Sequence, residues 1–241
     1  MTTVYKNSEQ LYWVRDNIIS AGFPPVSQAL NDPDGLLAIG GSLTVERLIN
    51  AYQQGIFPWY NEGQPVLWWS PDPRWVLNPG SIKISHSLGK TLRKNIFSVT
   101  VDRAFENVIS MCASPRRDDN GTWITPDLKE AFLELHRNGY AHSIECWHDR
   151  ILVGGLYGIA IDKVFFGESM FNRMNDASKV ALVYLGEILR KRDFRLIDCQ
   201  VYTRHLESLG AFPLKREIFI GILKNNCNPS IRHEWGDGPE L

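Results

Sequence analysis

The sequence predicts a mixed α/β fold in which helices pack on one large sheet. Three observations indicate it: apolar segments over residues 141–171 with the spacing of a strand meander, two amphipathic helices on either side, and a further apolar strand after the second helix. Strands and helices in this order form an α/β or α+β fold with a mixed sheet. A chain of 241 residues that is 44% hydrophobic has room for one large domain or two unequal ones.

The first helix follows the segment GLLAIGG, which predicts a short apolar strand and a Gly-Gly turn. We expect this helix to begin near Thr44 and to end at Gly55, three residues before Pro58. Apolar residues recur along it at i, i+3, i+4 and i+7, and this spacing places Tyr52 on its packed face.

The segment 55–77, GIFPWYNEGQPVLWWSPDPRWVL, holds four of the eight tryptophans and four prolines. Because proline fixes φ and lacks a backbone donor, we predict that this segment is largely an ordered loop. Its aromatic rings either form a miniature core or offer a stacking surface for unpaired bases. Trp123 in GTWITP adds a second aromatic loop. We assign base stacking to Trp59 and Trp123, and the miniature core to Trp68, Trp69 and Trp75.

The character of the sequence changes after this loop, and we predict a domain boundary near Arg74, with a small N-terminal domain over 1–74 and a larger domain over 75–241. The next segment is polar and basic. It forms either a solvated face or a phosphate-binding patch, and its basic groups are Lys83, His86, Lys90, Arg93 and Lys94. Because the formal net charge is only −1, any contact with nucleic acid has to use such a local patch.

The larger domain contains a well-marked helix over 125–139, with Thr125 as N-cap, Pro126 in the first turn and Gly139 as the stop. Residues 141–171 predict three strands with turns at 148–150 and 162–163. A helix over 175–194 ends in a basic run, as the helix dipole favours. RLIDCQV then predicts a strand, HLESLG a short helix and LKREIFI a last strand.

Three polar side chains lie on predicted apolar strands, where a polar group needs a partner or a task. They are Glu168 in VFFGESMF, and Asp198 and Gln200 in RLIDCQV. Asp198 and Gln200 are two residues apart, so on a regular strand they face the same side. These residues are either ordinary polar groups at strand ends and edges, or a pocket with two carboxylates and an amide.

Several other kinds of site are not indicated. The four cysteines form no CxxC pair, the histidines no HExxH, and no serine or cysteine lies in a nucleophile elbow, so we expect reduced buried thiols, no metal and no covalent nucleophile. Gly154, Gly155 and Gly158 favour a β-bulge over a phosphate loop. The charged N-terminus does not suit a signal peptide, and no apolar run approaches the ~20 residues of a spanning helix. We expect a soluble cytosolic protein.

Seven segments in order resemble one family: GLLAIGGSL, AYQQGIFPWY, LWWSPDPRWVL, GTWIT, FFGESMF, LIDCQV and HLESLGA. They are similar to the bacterial leucyl/phenylalanyl-tRNA–protein transferases over about residues 23–224. The resemblance implies a small N-terminal domain packed on a GNAT-type acyltransferase domain. It also implies transfer of Leu or Phe, and more weakly Met, from aminoacyl-tRNA to the α-amine of proteins that begin with Arg or Lys. The products are degraded through the bacterial N-degron pathway, and no cofactor is needed.

The resemblance also implies roles for single residues. Asp198 and Gln200 orient the acceptor amine and help to deprotonate it, with Asp198 polarising the Gln200 amide, while Glu168 meets the cationic acceptor side chain. The residues implied to hold the terminal adenosine are Trp59, Trp123 and Tyr52. Those implied to line the aminoacyl pocket are Leu156, Phe165, Leu185 and Leu189. Those implied to contact tRNA phosphates are Lys83, Lys90, Arg93 and Lys94.

Two positions depart from the family pattern, since Phe132 replaces a tyrosine of relatives and His86 replaces an arginine of some relatives. Two alternatives remain. An acetyl-CoA-dependent N-acetyltransferase of the same fold needs a Gly-rich pyrophosphate loop, but the corresponding segment, FNRMNDASK, has no paired glycines. A non-catalytic RNA- or peptide-binding module leaves the three polar strand residues without a task. We expect a monomer.

Overall fold

The computed structural model describes residues 11–16, 22–114, 123–233 and 235–236. Two sequence features extend beyond these residues. Most of the charged N-terminal segment, residues 1–10 and 17, and the first two residues of the GTWIT motif, 121 and 122, lie outside the described residues.

A small four-stranded sheet forms the N-terminal part of the chain. Its strands are β1 (Tyr12–Val14), β2 (Leu36–Gly40), β3 (Phe57–Pro58) and β4 (Leu67–Trp69), in the order β1-β2-β4-β3. Helix α1 (Val45–Gln53) begins where predicted, because the Thr44 side chain accepts the backbone N–H of Arg47. The predicted loop over 55–77 is wrong in part, since β3 and β4 lie within it. Pro58 is tolerated because β3 is an edge strand.

A seven-stranded mixed sheet forms the rest of the fold. Its strands are β5 (Arg74–Leu77), β6 (Ser98–Val101), β7 (Ala141–His148), β8 (Ile151–Ile161), β9 (Val164–Asn172), β10 (Leu196–Gln200) and β11 (Phe212–Leu214). The order is β11-β5-β10-β9-β8-β7-β6, and among the described strands of this sheet only β9 and β10 are parallel neighbours. The prediction of a mixed α/β fold is confirmed. The predicted domain boundary at residue 74 stays a prediction, although the strands of the small sheet end at Trp69 and the large sheet begins at Arg74.

Six helices accompany this sheet: α2 (His86–Lys94), α3 (Phe105–Ala113), α4 (Pro126–Arg137), α5 (Ala177–Lys191), α6 (Arg204–Ser208) and α7 (Arg216–Asn226). Helix α4 has the predicted Thr125 cap, and Gly139 ends its turn with a φ of 72°. Helix α5 connects the parallel strands β9 and β10, as such a pair requires. It approaches β8 closely, because a Cβ on Gly154 would lie 2.5 Å from that of Ala177.

The predicted meander is confirmed as β7, β8 and β9. Asp149 and Arg150 both have positive φ in the first tight turn, as a type I′ hairpin turn demands. The expected bulge of β8 lies at Val153, next to Gly154, because Cys146 pairs with Gly154 and Trp147 pairs with Leu152. A second register shift, opposite Gly158, belongs to β9. All four cysteines are buried, as predicted, and none of them forms a disulfide.

The prediction of a final strand over LKREIFI is wrong. Only Leu214 belongs to a strand there, and α7 begins at Arg216. Its β-branched isoleucines favour a strand by propensity alone. Packing prevails, because Phe219 and Leu223 lie one helical turn apart and are both buried. None of the helices in the described ranges is long and apolar enough to cross a membrane.

Candidate active site

A cavity of about 1140 Å³ lies where β9 and β10 end, and we call it the central cavity. The aromatic loop, α3, α5 and the strands β8 to β10 contribute to its wall. Trp59, Trp123, Leu156, Glu168 and Gln200 all line it. The structure therefore brings together residues from three of the four groups that the sequence singled out: aromatic rings, apolar side chains and the polar residues of the strands.

Two neighbouring irregularities in the sheet aim the polar groups of this cavity. Glu168 is the extra residue of β9, because Ser169 pairs with Tyr157 and Gly167 pairs with Gly158. In β10 the register shifts between Asp198 and Gln200, and Gln200 has a φ of 57°. A bulge re-aims side chains and breaks strand alternation. The expectation that Asp198 and Gln200 project together from a regular strand is therefore corrected, and the two contact different partners.

Glu168 is held by two hydrogen-bond donors. The Tyr52 hydroxyl donates to its Oε1 at 2.8 Å, and the Gln200 Nε2 donates to the same oxygen at 3.1 Å. Burial raises the pKa of Glu168 to about 8, and the nearby charge of Asp198 acts in the same direction, while the Tyr52 hydrogen bond opposes it. This carboxyl group therefore changes its charge near neutral pH.

Asp198 is bound on both oxygens by Arg74. The Arg74 Nε donates to Oδ1 at 2.8 Å and its NH2 donates to Oδ2 at 2.6 Å. The backbone N–H of Gln200 also donates to Oδ1, at 3.0 Å. The expectation that Asp198 polarises the side-chain amide of Gln200 is corrected, because Asp198 contacts only the backbone of Gln200 and the amide turns to Glu168.

Arg74 is a site residue that the sequence analysis missed. Its guanidinium lies between the rings of Phe57 and Phe219, 4.7 and 4.8 Å from their centroids, and donates to the Gly55 carbonyl. Its side chain is only 1% exposed. A charged residue followed by the apolar run WVL was the available signal, the same signal that identified Asp198.

Two tryptophans form the aromatic rim of the central cavity. Trp59 is 45% exposed, and its backbone is fixed because the Trp69 indole N–H donates to the Trp59 carbonyl. The Tyr60 hydroxyl and the Thr125 Oγ1 are 3.0 Å apart, so this loop is tied to the cap of α4 beside Trp123. The loop that carries Trp59 is therefore held by hydrogen bonds to Trp69 and to the helix cap beside Trp123.

The other tryptophans of the loop have packing roles. Trp68 is completely buried, and its indole N–H donates to the Gly40 carbonyl. The Trp75 ring packs on Tyr202 at 4.7 Å. The interpretation that Trp68, Trp69 and Trp75 shape this region agrees with these contacts.

The structure contradicts the expectation that Tyr52 contacts the terminal adenosine. Its ring is 0% exposed and packs on Phe166 at 5.1 Å, so it offers no face to a base. The position on the packed face of α1 was predicted, but the hydroxyl points to Glu168. Tyr52 supports the carboxylate instead.

Three of the four predicted pocket residues, Leu156, Phe165 and Leu185, line the central cavity, together with Leu182. Leu189 does not belong to the described lining, because it lies one helical turn beyond Leu185 and is buried in the core. The expectation for Leu189 is corrected, and the roles of the other three stay predictions.

The Tyr157 hydroxyl is buried at the cavity wall, and in the described part of the chain it has no hydrogen-bond partner. Its ring meets that of Phe132 edge to face at 5.3 Å. Phe132 itself is completely buried. In the family pattern, relatives have a tyrosine hydroxyl at the position of Phe132. Among the described residues of this chain, the unpartnered hydroxyl nearby belongs to Tyr157.

The basic residues of the predicted phosphate patch lie outside the central cavity. Lys90, Arg93 and Lys94 are exposed on α2, and Lys83 is exposed just before it. His86 is exposed in the first turn of α2. The contact with tRNA stays a prediction.

Helix α2 is joined to the start of α5 because the Thr91 hydroxyl donates to Asp176.

Comparisons with known proteins identify similar chains. A family model described as "Leucyl/phenylalanyl-tRNA protein transferase" matches residues 76–224, and the model of that family's N-terminal domain matches residues 41–72. A leucyl/phenylalanyl-tRNA--protein transferase of Syntrophobacter fumaroxidans is 56% identical over 217 residues, which cover 90% of this chain and 92% of the relative. One of Aromatoleum aromaticum is 58% identical over 206 residues, 86% of this chain and 87% of the relative.

Similarity to solved structures is weaker. A GCN5-related N-acetyltransferase from Kribbella flavida matches with a TM-score of 0.38 and 12% identity, over 67% of this chain and 58% of the other. The structure of L-PGS from Bacillus licheniformis also has a TM-score of 0.38, with 9% identity, over 68% of this chain and 55% of the other.

Proposed function

This chain belongs to the leucyl/phenylalanyl-tRNA protein transferase family, and from that premise we propose that it transfers Leu or Phe, and more weakly Met, from aminoacyl-tRNA to the α-amine of proteins that begin with Arg or Lys. The coarser activity is that of an aminoacyltransferase acting between tRNA and proteins. The finer proposal includes the fate of the products, which are degraded through the bacterial N-degron pathway.

The observation that carries this proposal is the meeting of two unlike surfaces in the central cavity. Trp59 and Trp123 form an aromatic rim, and apolar side chains line the wall beyond it. An unpaired terminal base stacks on aromatic side chains, at about 1–3 kcal/mol per base. The aminoacyl side chain then lies against Leu156, Phe165 and Leu185. An apolar pocket separates donors that differ by one methyl position by only about 1–3 kcal/mol.

The acceptor meets the acidic side of the same cavity. Asp198 is already neutralised by Arg74, so Glu168 is the carboxylate available to a cationic acceptor. The ester of aminoacyl-tRNA is already activated, and the α-amine has a pKa of about 7.7–8.0, so its deprotonation requires little energy near neutral pH. Holding the two substrates in contact supplies much of the acceleration.

The exposed basic residues of α2 and the preceding turn hold the tRNA phosphates in this proposal. Contacts of this kind carry no sequence information, so several tRNA bodies are accepted. They also make binding weaker as the salt concentration rises.

The direct test follows labelled Leu from leucyl-tRNA onto two peptides that differ only in an N-terminal Arg or Ala, with isoleucyl-tRNA as the parallel donor. Transfer of Leu to the Arg peptide alone is the expected result. Absence of transfer while tRNA still binds contradicts the proposal and favours an RNA-binding module. A parallel reaction with acetyl-CoA tests the N-acetyltransferase alternative.

Replacement of Asp198 by Ala separates the enzyme from the binding module. If the chain is an aminoacyltransferase, an Asp198→Ala protein that thermal unfolding shows to be folded loses turnover, whereas a module that only binds tRNA through the aromatic rim keeps its affinity. The matched control is Glu130→Gln, because Glu130 lies on the exposed face of α4 and pairs with Arg137.

A further inference from the structure

Glu168 is surrounded by polar groups from four elements, and no cation of the described chain pairs with it. Tyr52 of α1 and Gln200 of β10 donate hydrogen bonds to it. The other ionisable groups that influence this cluster are Tyr157 of β8, Asp198 of β10 and Arg74 of β5. The Arg74 charge is bound to Asp198. Within the described residues, no ion pair neutralises Glu168.

The two oxygens of Glu168 are in different surroundings. Both donors bind Oε1, and within the described chain Oε2 accepts no hydrogen bond. The residue also keeps part of its surface open to the central cavity. Its fixed oxygen anchors the side chain, and its free oxygen is accessible to a substrate proton.

The neighbouring polar groups are poor proton acceptors by comparison. Both oxygens of Asp198 are occupied by Arg74, and Oδ1 also accepts the Gln200 backbone N–H. Gln200 directs its amide N–H at Glu168, and a neutral amide is a very weak base. Among these groups, the free oxygen of Glu168 is therefore the best placed to receive a proton.

We propose that the Glu168 carboxylate takes a proton from the acceptor α-amine and delivers it to the departing ribose oxygen, an inference that rests on the proposed function. The α-ammonium gives one proton to Glu168, and the neutral amine forms the C–N bond at the ester carbonyl carbon. When the C–O bond to the ribose breaks, the proton on Glu168 passes to that oxygen. The second proton of the attacking nitrogen leaves to solvent, and Glu168 is again a carboxylate.

The ionisation of Glu168 suits this task. Its pKa of about 8 is close to the 7.7–8.0 of an α-amine, so the proton moves between them with little change in free energy. Burial is the main cause of this raised pKa. A carboxyl with an ordinary pKa would be too weak a base to hold the proton that the ribose oxygen needs.

The test measures single-turnover transfer of Leu at saturating Arg peptide for wild type, Glu168→Gln, Glu168→Ala and the control Glu130→Gln. Glu168→Gln preserves the shape of the side chain and its acceptor oxygen, but it cannot take up the proton. We expect its rate to fall about 10²–10⁴-fold, while Glu130→Gln matches wild type. Added formate occupies the space that Glu168→Ala opens, where the same burial raises the pKa of its carboxyl. It raises the rate of that variant at least about tenfold and leaves Glu168→Gln unchanged.

Three results would overturn the role of Glu168. They are a Glu168→Gln rate within about threefold of wild type at saturation, a loss confined to the KM of the acceptor peptide, or a folded Glu168→Ala that formate does not accelerate. Thermal unfolding and tRNA binding show that each variant is folded. Wild type serves as the reference for the proposed function: if it transfers no Leu, that function fails, whereas normal wild-type transfer with any of these three results removes only the role of Glu168.

Discussion

Arg74 and Asp198 are 124 residues apart in the chain and form a buried ion pair with two hydrogen bonds behind the central cavity. Both side chains are at most 1% exposed. Removing one partner from such a pair leaves an uncompensated buried charge, which typically costs about 3–5 kcal/mol. We therefore expect Arg74→Met to lower the free energy of unfolding by that amount, as measured by urea denaturation.

The matched control for this prediction is the double variant Arg74→Met with Asp198→Asn, which removes both charges. It should recover part of the lost stability, because no isolated buried charge remains. Equal stability of the single and double variants would contradict the ion-pair explanation.

The raised pKa of Glu168 predicts a pH dependence of stability. The folded pKa of about 8 exceeds the ordinary 4.5, so the folded state binds more protons than the unfolded state between these values. The contribution of Glu168 is fully present below pH 4.5 and is lost as the pH rises through 8. In wild type, this contribution to the free energy of unfolding should therefore fall by on the order of 3 kcal/mol between pH 5 and pH 9. Glu168→Gln should not show this fall when both proteins are compared by urea denaturation. Parallel curves for wild type and variant would refute it.

Tyr52→Phe should destabilise the ionised form of Glu168 relative to its neutral form. The Tyr52 hydroxyl lowers the pKa of this carboxyl, so removing it leaves the carboxylate with one fewer donor. The loss of stability relative to wild type should be greater at pH 9 than at pH 6, by about 1 kcal/mol. Tyr140→Phe, which removes a hydroxyl bonded to the Pro229 carbonyl, is the control and should show no such difference.

Tyr157→Phe should stabilise the free protein. Its hydroxyl is buried without a partner among the described residues, and such a group typically costs about 1–3 kcal/mol. A rise in the melting temperature, measured by calorimetry, is the expected result. A fall would show that the hydroxyl is hydrogen-bonded in solution.

Trp59→Ala should weaken donor binding with little effect on stability. The ring is 45% exposed, and loss of one base stack costs about 1–3 kcal/mol, which corresponds to about 5- to 150-fold in affinity for leucyl-tRNA. Trp68→Ala is the contrasting variant, because Trp68 is completely buried and should cost about 3–5 kcal/mol of stability. Unchanged tRNA affinity in Trp59→Ala would remove this ring from the donor site.

The features that the sequence predicted correctly depend on short-range signals. Thr125 and Gly139 mark the ends of α4 because capping and positive φ are local requirements. Glu168 and Gln200 were recognised as candidate site residues because polar groups on apolar strands need partners. Both residues line one cavity, although their catalytic roles stay predictions.

The features that could not be predicted depend on contacts between distant segments. The bulge at Glu168 exists only in the pairing of β9 with β8, and the partner of Asp198 comes from β5. Helical periodicity placed Tyr52 on the packed face of α1 but could not show that its hydroxyl meets Glu168. In LKREIFI, strand propensity was misleading because burial of Phe219 decides the local structure.

The hydroxyl of Thr125 joins a helix start to the aromatic loop. It caps the first turn of α4 and also contacts Tyr60 of the aromatic loop. Fraying of this helix end therefore removes one support of the loop that carries Trp59, so the opening of the two regions is coupled. Their amide protons should exchange with solvent at similar rates, so the accessibility of the donor site is linked to the local stability of a helix start.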